Sequence, residues 1–149
     1  MAEKVIVRQN SSFETEILAL DPHVPEDDQF HSVVHVHQLT PYGMMLTGLA
    51  ACTGIVLHTY AQYHGVDLDE VELRVEYDRV FRDDCQDCEE IEEYKEQIEE
   101  EIVLTGDLTP EERRRLMVIS RQCPIHKILS HGIEVASHLA DSPEPSEVD

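Results

Sequence analysis

An α+β fold, antiparallel strands packed around one long buried helix, follows from three features of the sequence. The first segments, EKVIVRQ, FETEILAL and FHSVVHVHQL, alternate apolar and polar residues and read as a meander of three strands. The stretch from Pro41 to His64 is apolar on all sides and bounded by capping residues. Further on, VELRVEYDRVF and EQIEEEIVLTG read as the two arms of a hairpin, the second with an acidic solvent face.

The elements follow in order. DPHVPEDDQ, Asp21 to Gln29, is a loop by its prolines and charges. The next strand, FHSVVHVHQL, places Val33, His35 and His37 on one face. Thr40-Pro41 then opens the central helix as an N-cap followed by proline in the first turn, and Gly65 closes it. At a rise of 1.5 Å per residue that helix is about 36 Å long. A helix with no polar face needs cover on every side, more than one small sheet provides, so a second subunit is expected to contribute.

The hairpin arms flank the loop RDDCQDCEEIEEYK. LTPEERRRLMVISRQ is a helix by the capping box Thr109 to Glu112, with Pro110 at its first position. Pro124 breaks that run, PIHKILSH forms a short helix ended by Gly132, and IEVASHLA reads as a closing strand. The whole is one domain over residues 1–140, comprising the meander (3–39), the central helix (41–64), and the hairpin and helices (71–140). DSPEPSEVD, residues 141–149, is an acidic tail expected to be disordered.

The charge excludes two classes of partner. Asp and Glu number 32 against 11 Lys and Arg among 149 residues, a formal charge of -21. Nucleic acid and anionic membrane surfaces would repel such a chain. Only Lys4, Lys95 and Lys127 are lysines, a composition suited to a high-salt cytoplasm. The N-terminus MAEKVIVRQNSS lacks the parts of a signal peptide, and the apolar run from Met44 is interrupted by His58 and reads as too short to span a bilayer. A cytoplasmic protein is expected. In that reducing setting its four cysteines serve metal ligation, catalysis or inert burial rather than structural cross-linking.

Cys123 stands at the N-cap of a short helix with His126 and Lys127 in the first turn, where helix amides and cations favour a thiolate. Cys52 has no such help from its own helix, although Ala50, Ala51, Thr53 and Gly54 around it are small enough for another group to pack close. On these facts alone, two unrelated buried cysteines and a redox pair are both open readings.

The two motifs taken together, TPYGMMLTGLAACT and, about seventy residues later, LTPEERRRLMVISRQCPIHKIL, resemble the OsmC/Ohr family of thiol-dependent hydroperoxide reductases. The family marks are an AACT-like cysteine on the helix and a CPVH-like second cysteine, and the resemblance spans roughly Leu39 to Leu139. It implies an OsmC-like fold with antiparallel sheets around the central helix. It also implies an intertwined homodimer with active sites at the subunit interface, a peroxidatic Cys52 and a resolving Cys123. The implied activity is reduction of organic hydroperoxides or related oxidants, with a dithiol reductant reopening the disulfide and no cofactor required.

The sequence departs from the family pattern at the activating groups. A glutamate is expected within P-x-E-L-L near the start of the central helix, and this register reads Pro41-Tyr42-Gly43-Met44-Met45. The arginine that it would orient is also missing, since no arginine lies between Arg8 and Arg74. His31, His35 and His37 occupy the stretch instead, and His31, by its separation from Cys52, is the candidate charge partner; the alternative is a solvent-facing polar strand.

Two further readings stay open. Without the Arg/Glu pair, the scaffold could serve a ligand-binding relative that is not a peroxidase. Alternatively, Cys85 and Cys88 form a CxxC that reads either as a redox pair passing electrons to a Cys52/Cys123 disulfide, though its acidic loop disfavours thiolates, or, with Cys123 and His126, as the outline of a zinc ribbon. The 34 residues between the two halves exceed ordinary ribbon spacing.

Overall fold

The computed structural model describes residues 3–24, 28–81 and 94–141. The elements are β1 (Glu3–Asn10), β2 (Thr15–Ala19), β3 (His31–Ser32), α1 (Pro41–His64), β4 (Asp67–Phe81), β5 (Tyr94–Asp107), α2 (Pro110–Ser120) and α3 (Pro124–His131). The strands form one antiparallel sheet in the order β3-β2-β1-β4-β5, and α1 lies across it against β1 and β4. Among the described residues a single sheet therefore covers one side of α1, rather than sheets surrounding it.

Register sets the core. Val5 pairs with Val75 and Val7 with Leu73, and on the other side of β4 the partners are Tyr77 with Ile98, Val75 with Glu100, Leu73 with Ile102 and Val71 with Leu104. Directly paired residues share a face, so these side chains form one inner surface beneath α1. Leu46, Leu49, Leu57 and Ala61 of α1 bury against it. Each fully buried leucine contributes about 1.5–3 kcal/mol over leaving it in water. The outer face of the sheet is polar: Glu72 holds Arg8 and Arg74, and Arg74 also reaches Glu101.

Local chemistry explains the helix limits. The Thr40 hydroxyl accepts from the Gly43 amide at 2.9 Å, Pro41 follows, and Gly65 ends α1 with φ 67°. Around α2, Thr109 and Glu112 exchange the two bonds of a capping box at 3.1 and 2.9 Å. Gly106 has φ 155°, and a Cβ there would sit 2.0 Å from the Asp67 carbonyl oxygen, so only glycine fits where β5 passes the bulge in β4.

Three sequence expectations are corrected. The strand expected over FHSVVHVHQL is only two residues long, because the Gln38 side chain accepts from the amides of Val34 and His35, both at 2.8 Å, and folds Val36–Gln38 into a 3-10 turn. IEVASHLA forms no strand, pairing with no strand among the described residues, and leaves Ile133, Val135 and Leu139 at 65%, 78% and 95% exposure. The apolar run of α1 is, by length and hydropathy alone, sufficient to cross a membrane rather than too short. Its packing is that of a core helix: His58 is fully buried, with Nε2 2.9 Å from the Gln9 carbonyl oxygen, to which it donates. The expected tail begins at residue 141 and lies almost wholly outside the described residues.

Candidate active site

Cys52 is half-buried on the middle of α1, and Cys123 is fully buried at the N-cap of α3. The fold brings them together: the two thiols lie close enough to act on each other, and both are free. Cys123 reaches this position because α2 ends at Ser120 and Pro124 restarts the chain as α3, turning the intervening Arg121–Cys123 back toward α1.

The start of α3 serves the other cysteine as well. The Ile125 amide donates to the Cys52 sulfur, so Cys52 receives from α3 the help that its own helix cannot give. That pull is outweighed. Burial foremost, then the hydrogen bond to Cys123 and the charges of Cys123 and Glu100, push the Cys52 thiol up to about 11. Within one protomer, resting Cys52 is a protonated thiol at neutral pH.

Glu100 is the site residue that sequence reasoning missed. It sits on β5 in the inner row Ile98, Glu100, Ile102, Leu104, a carboxyl where the alternation calls for an apolar side chain. Burial pushes it up to about 7. Its Oε2 is 3.4 Å from the Thr53 hydroxyl, which is also 2.9 Å from the Leu49 carbonyl oxygen. The single hydroxyl proton opposes the shift when turned to the carboxylate. Turned to Leu49 over the shorter distance, it leaves only lone pairs for Glu100 and favours the protonated acid. The signal was present in the sequence, since E-Q-I-E-E-E-I-V-L puts Ile98, Ile102 and Leu104 in phase and Glu100 in the same phase.

A cavity of about 610 Å³ opens beside this group. Met45, Leu49, Ile98, Ile102 and Met117 supply apolar walls, and Glu100, Arg121 and His126 supply charge or potential charge. This is the composition of a site for a small, largely apolar molecule carrying a polar end.

The histidines are elsewhere. His31 lies on β3, the edge of the sheet opposite to β5, four strand spacings or about 19 Å away from the strand that carries Glu100. Its exposed neighbours His35 and His37 stack on each other with ring centroids 5.5 Å apart. Within one protomer the fold brings Cys52 near Cys123, while His31 stands at the sheet edge far from Glu100. Cys85 and Cys88 lie outside the described residues. Among the described residues no group of three or more His, Cys, Asp or Glu side chains is placed to hold a metal ion, Cys123 and His126 included.

A five-stranded antiparallel sheet under a central helix, with two free cysteines brought near each other, defines an α+β protein. The family model for OsmC-like proteins matches residues 35–138, and the chain belongs to that family. Its fold is similar to the crystal structure of an OsmC-like hydroperoxide resistance protein from Jannaschia sp. CCS1, with a TM-score of 0.55, 15% identity and 96% of each chain covered. The organic hydroperoxide resistance protein OhrB of Bacillus subtilis aligns with a TM-score of 0.43 at 19% identity, over 89% of this chain and 91% of that one. A search of the curated proteins finds no match to this chain.

Proposed function

We propose that the protein is a thiol-dependent hydroperoxide reductase in which Cys52 attacks the peroxide and Cys123 resolves the product. The observation that carries this reading is the approach of the two free thiols to each other at the start of α3, near Glu100, which lines a cavity with apolar walls. Membership of the OsmC-like family and the fold likeness to a hydroperoxide resistance protein support it. The sulfur of Cys52 attacks the terminal peroxide oxygen, the O–O bond breaks, and an alcohol leaves with Cys52 as a sulfenic acid. The Cys123 sulfur then displaces water from that sulfenic acid to form the disulfide, and a dithiol reductant restores both thiols by exchange.

The test is consumption of an organic hydroperoxide with a dithiol reductant by the reduced protein and two variants. Cys52→Ser is expected to abolish turnover, on the order of 1,000-fold or more. Cys123→Ser is expected to allow one oxidation of Cys52, trapped as a sulfenic acid. Full activity in Cys52→Ser overturns the assignment, and activity in Cys52→Ser with loss in Cys123→Ser makes Cys123 the nucleophile.

The working unit of this reading is a homodimer. Met44 and Ile55 are exposed on α1 and Met117 and Val118 on α2, and the exposed Ile133, Val135 and Leu139 alternate as a strand would. A second copy covers both by an intertwined interface. Sedimentation at micromolar concentration checks this, and a compact monomer counts against it.

A further inference from the structure

With the family's arginine and glutamate absent from their expected positions, the thiol needs another activator. A cation would lower the cost of the thiolate, and the ionisable side chain outside the cysteine pair whose charge bears on Cys52 is instead a carboxyl. Glu100 projects from the inner row of β5, contacts Thr53 next in sequence to Cys52, lines the cavity, and lies close enough for its charge to bear on the Cys52 sulfur. Nothing in the packing of β5 requires a carboxyl there: its cross-strand partner is Val75 and its row neighbours are Ile98 and Ile102. A group that is costly to bury and makes one long hydrogen bond is a poor structural element and a suitable proton carrier.

We infer, on the basis of the peroxidase reading, that Glu100 is a catalytic residue that carries the thiol proton of Cys52 to the departing oxygen of the hydroperoxide. As the Cys52 sulfur bonds to the terminal oxygen and the O–O bond breaks, the Glu100 carboxylate takes the thiol proton, directly or through one water. It then gives that proton to the alkoxide. The products are the Cys52 sulfenic acid and an alcohol, Glu100 returns as a carboxylate, and no net proton enters or leaves. Activation is then removal of a proton during attack rather than stabilisation of a resting thiolate. The value near 7 that burial gives Glu100 suits a group that must both accept and donate at neutral pH.

Several titratable or charged groups line the same cavity as Glu100 or act on Cys52. Cys52 and Tyr42 come from α1, Tyr77 from β4, and Glu96 from β5 itself. Arg121 just past the end of α2 and His126 in the first turn of α3 line the cavity as well, and Cys123 acts on Cys52. On the outer side of the strand, Lys4, Arg74, Glu76, Glu99 and Glu101 border the groove that Glu100 also lines. His126 is the competing proton carrier in this set.

The experiment uses the reduced full chain and cumene hydroperoxide in a single turnover between pH 5 and 9, with Cys52 sulfenic acid trapped and quantified. Parallel alkylation by iodoacetamide reports the thiolate without peroxide chemistry. The wild-type oxidation rate should rise with pH through a limb near 7. Glu100→Gln should lose that limb and slow oxidation by about 100-fold. In the same variant alkylation should be unchanged or faster, since a negative charge has been removed. Glu100→Asp should recover part of the rate. A charge that merely repelled the thiolate would make both reactions faster in Glu100→Gln, and that result overturns the inference. So does a limb that survives in Glu100→Gln and vanishes in His126→Ala. Absence of Cys52 oxidation in the wild type overturns the peroxidase reading and this inference together. Oxidation in the wild type with an unaltered Glu100→Gln profile overturns the role of Glu100 alone.

Discussion

The two edges of the sheet are chemically unlike. At the β3 edge, His31, His35 and His37 stand in solvent, on a two-residue strand that gives way to a 3-10 turn. At the β5 edge, a half-buried carboxyl sits in an otherwise apolar row, lining a cavity and near enough to Cys52 for its charge to act on the thiol. The histidine edge is richer in residues that suit acid-base chemistry. The carboxyl edge has the geometry for it. Residue type marks candidates, and burial beside a cavity with a second reactive group decides among them.

The comparison breaks if the β5 edge is not fixed in the register that points Glu100 inward. Gly106 is where that register is most tightly held, because a Cβ would meet the Asp67 carbonyl oxygen at 2.0 Å in a backbone conformation that side chains rarely adopt. Gly106→Ala is therefore expected to cost about 3 kcal/mol, read as a fall in the urea midpoint. An unchanged midpoint would mean that the end of β5 moves freely, and with it the frame of the site.

The buried carboxyl makes a second prediction with a defined sign. The folded value of Glu100 is raised from 4.5 to about 7. Its contribution is thus fully favourable below the unfolded value and is lost as pH rises through the folded one. Discounted for its partial exposure, the loss between pH 4.5 and 7 should be about 2 kcal/mol and should be absent in Glu100→Gln. Glu72 on the outer face shifts downward, held by its hydrogen bond to Arg8 first and by Arg74, so its effect falls at lower pH and does not mask this window. Equilibrium unfolding across that range checks both the size and the sign.

Thr109 offers a smaller test on the same side of the molecule. Its hydroxyl caps α2, which carries the chain from β5 to Cys123. Thr109→Ala should lower stability by about 1 kcal/mol in thermal unfolding. An unchanged melting temperature would show that α2 is held by packing of Leu116 and Ile119 rather than by its cap.

The parts of this arrangement that were legible in the sequence are those written locally. Thr40-Pro41 with Gly65, and Thr109 with Glu112, fix helix ends through hydrogen bonds within a few residues, and both helices lie where those signals put them. The CPIH motif likewise placed a cysteine at the start of α3. What failed depended on neighbours distant in the chain. The alternation in FHSVVHVHQL was overridden by the Gln38 side chain, and IEVASHLA has strand pattern without a strand beside it. The amide given by α3 to Cys52 could not be read from the helix that carries Cys52. Glu100 was readable as an out-of-place residue in an apolar phase but was absorbed into the surrounding run of glutamates.

The smallest expected effect falls on the histidine edge. By spacing along the chain, His31 precedes Cys52 by a distance that suits an activating group, yet β2, β1 and β4 lie between its strand and β5. β3 and β5 lie about 19 Å apart across the sheet, so within one protomer His31 is remote from the carboxyl edge. His31→Ala is therefore expected to leave the single-turnover oxidation of Cys52 within about twofold of the wild type, against the 100-fold loss expected on the carboxyl edge. A tenfold or larger fall in His31→Ala, measured at a concentration where the protein is dimeric, would instead mean that a second subunit brings its β3 edge over the thiols. The two edges that lie apart in one chain would then meet in the assembly, and the fall should diminish on dilution to monomer, where His31 no longer has a path to Cys52.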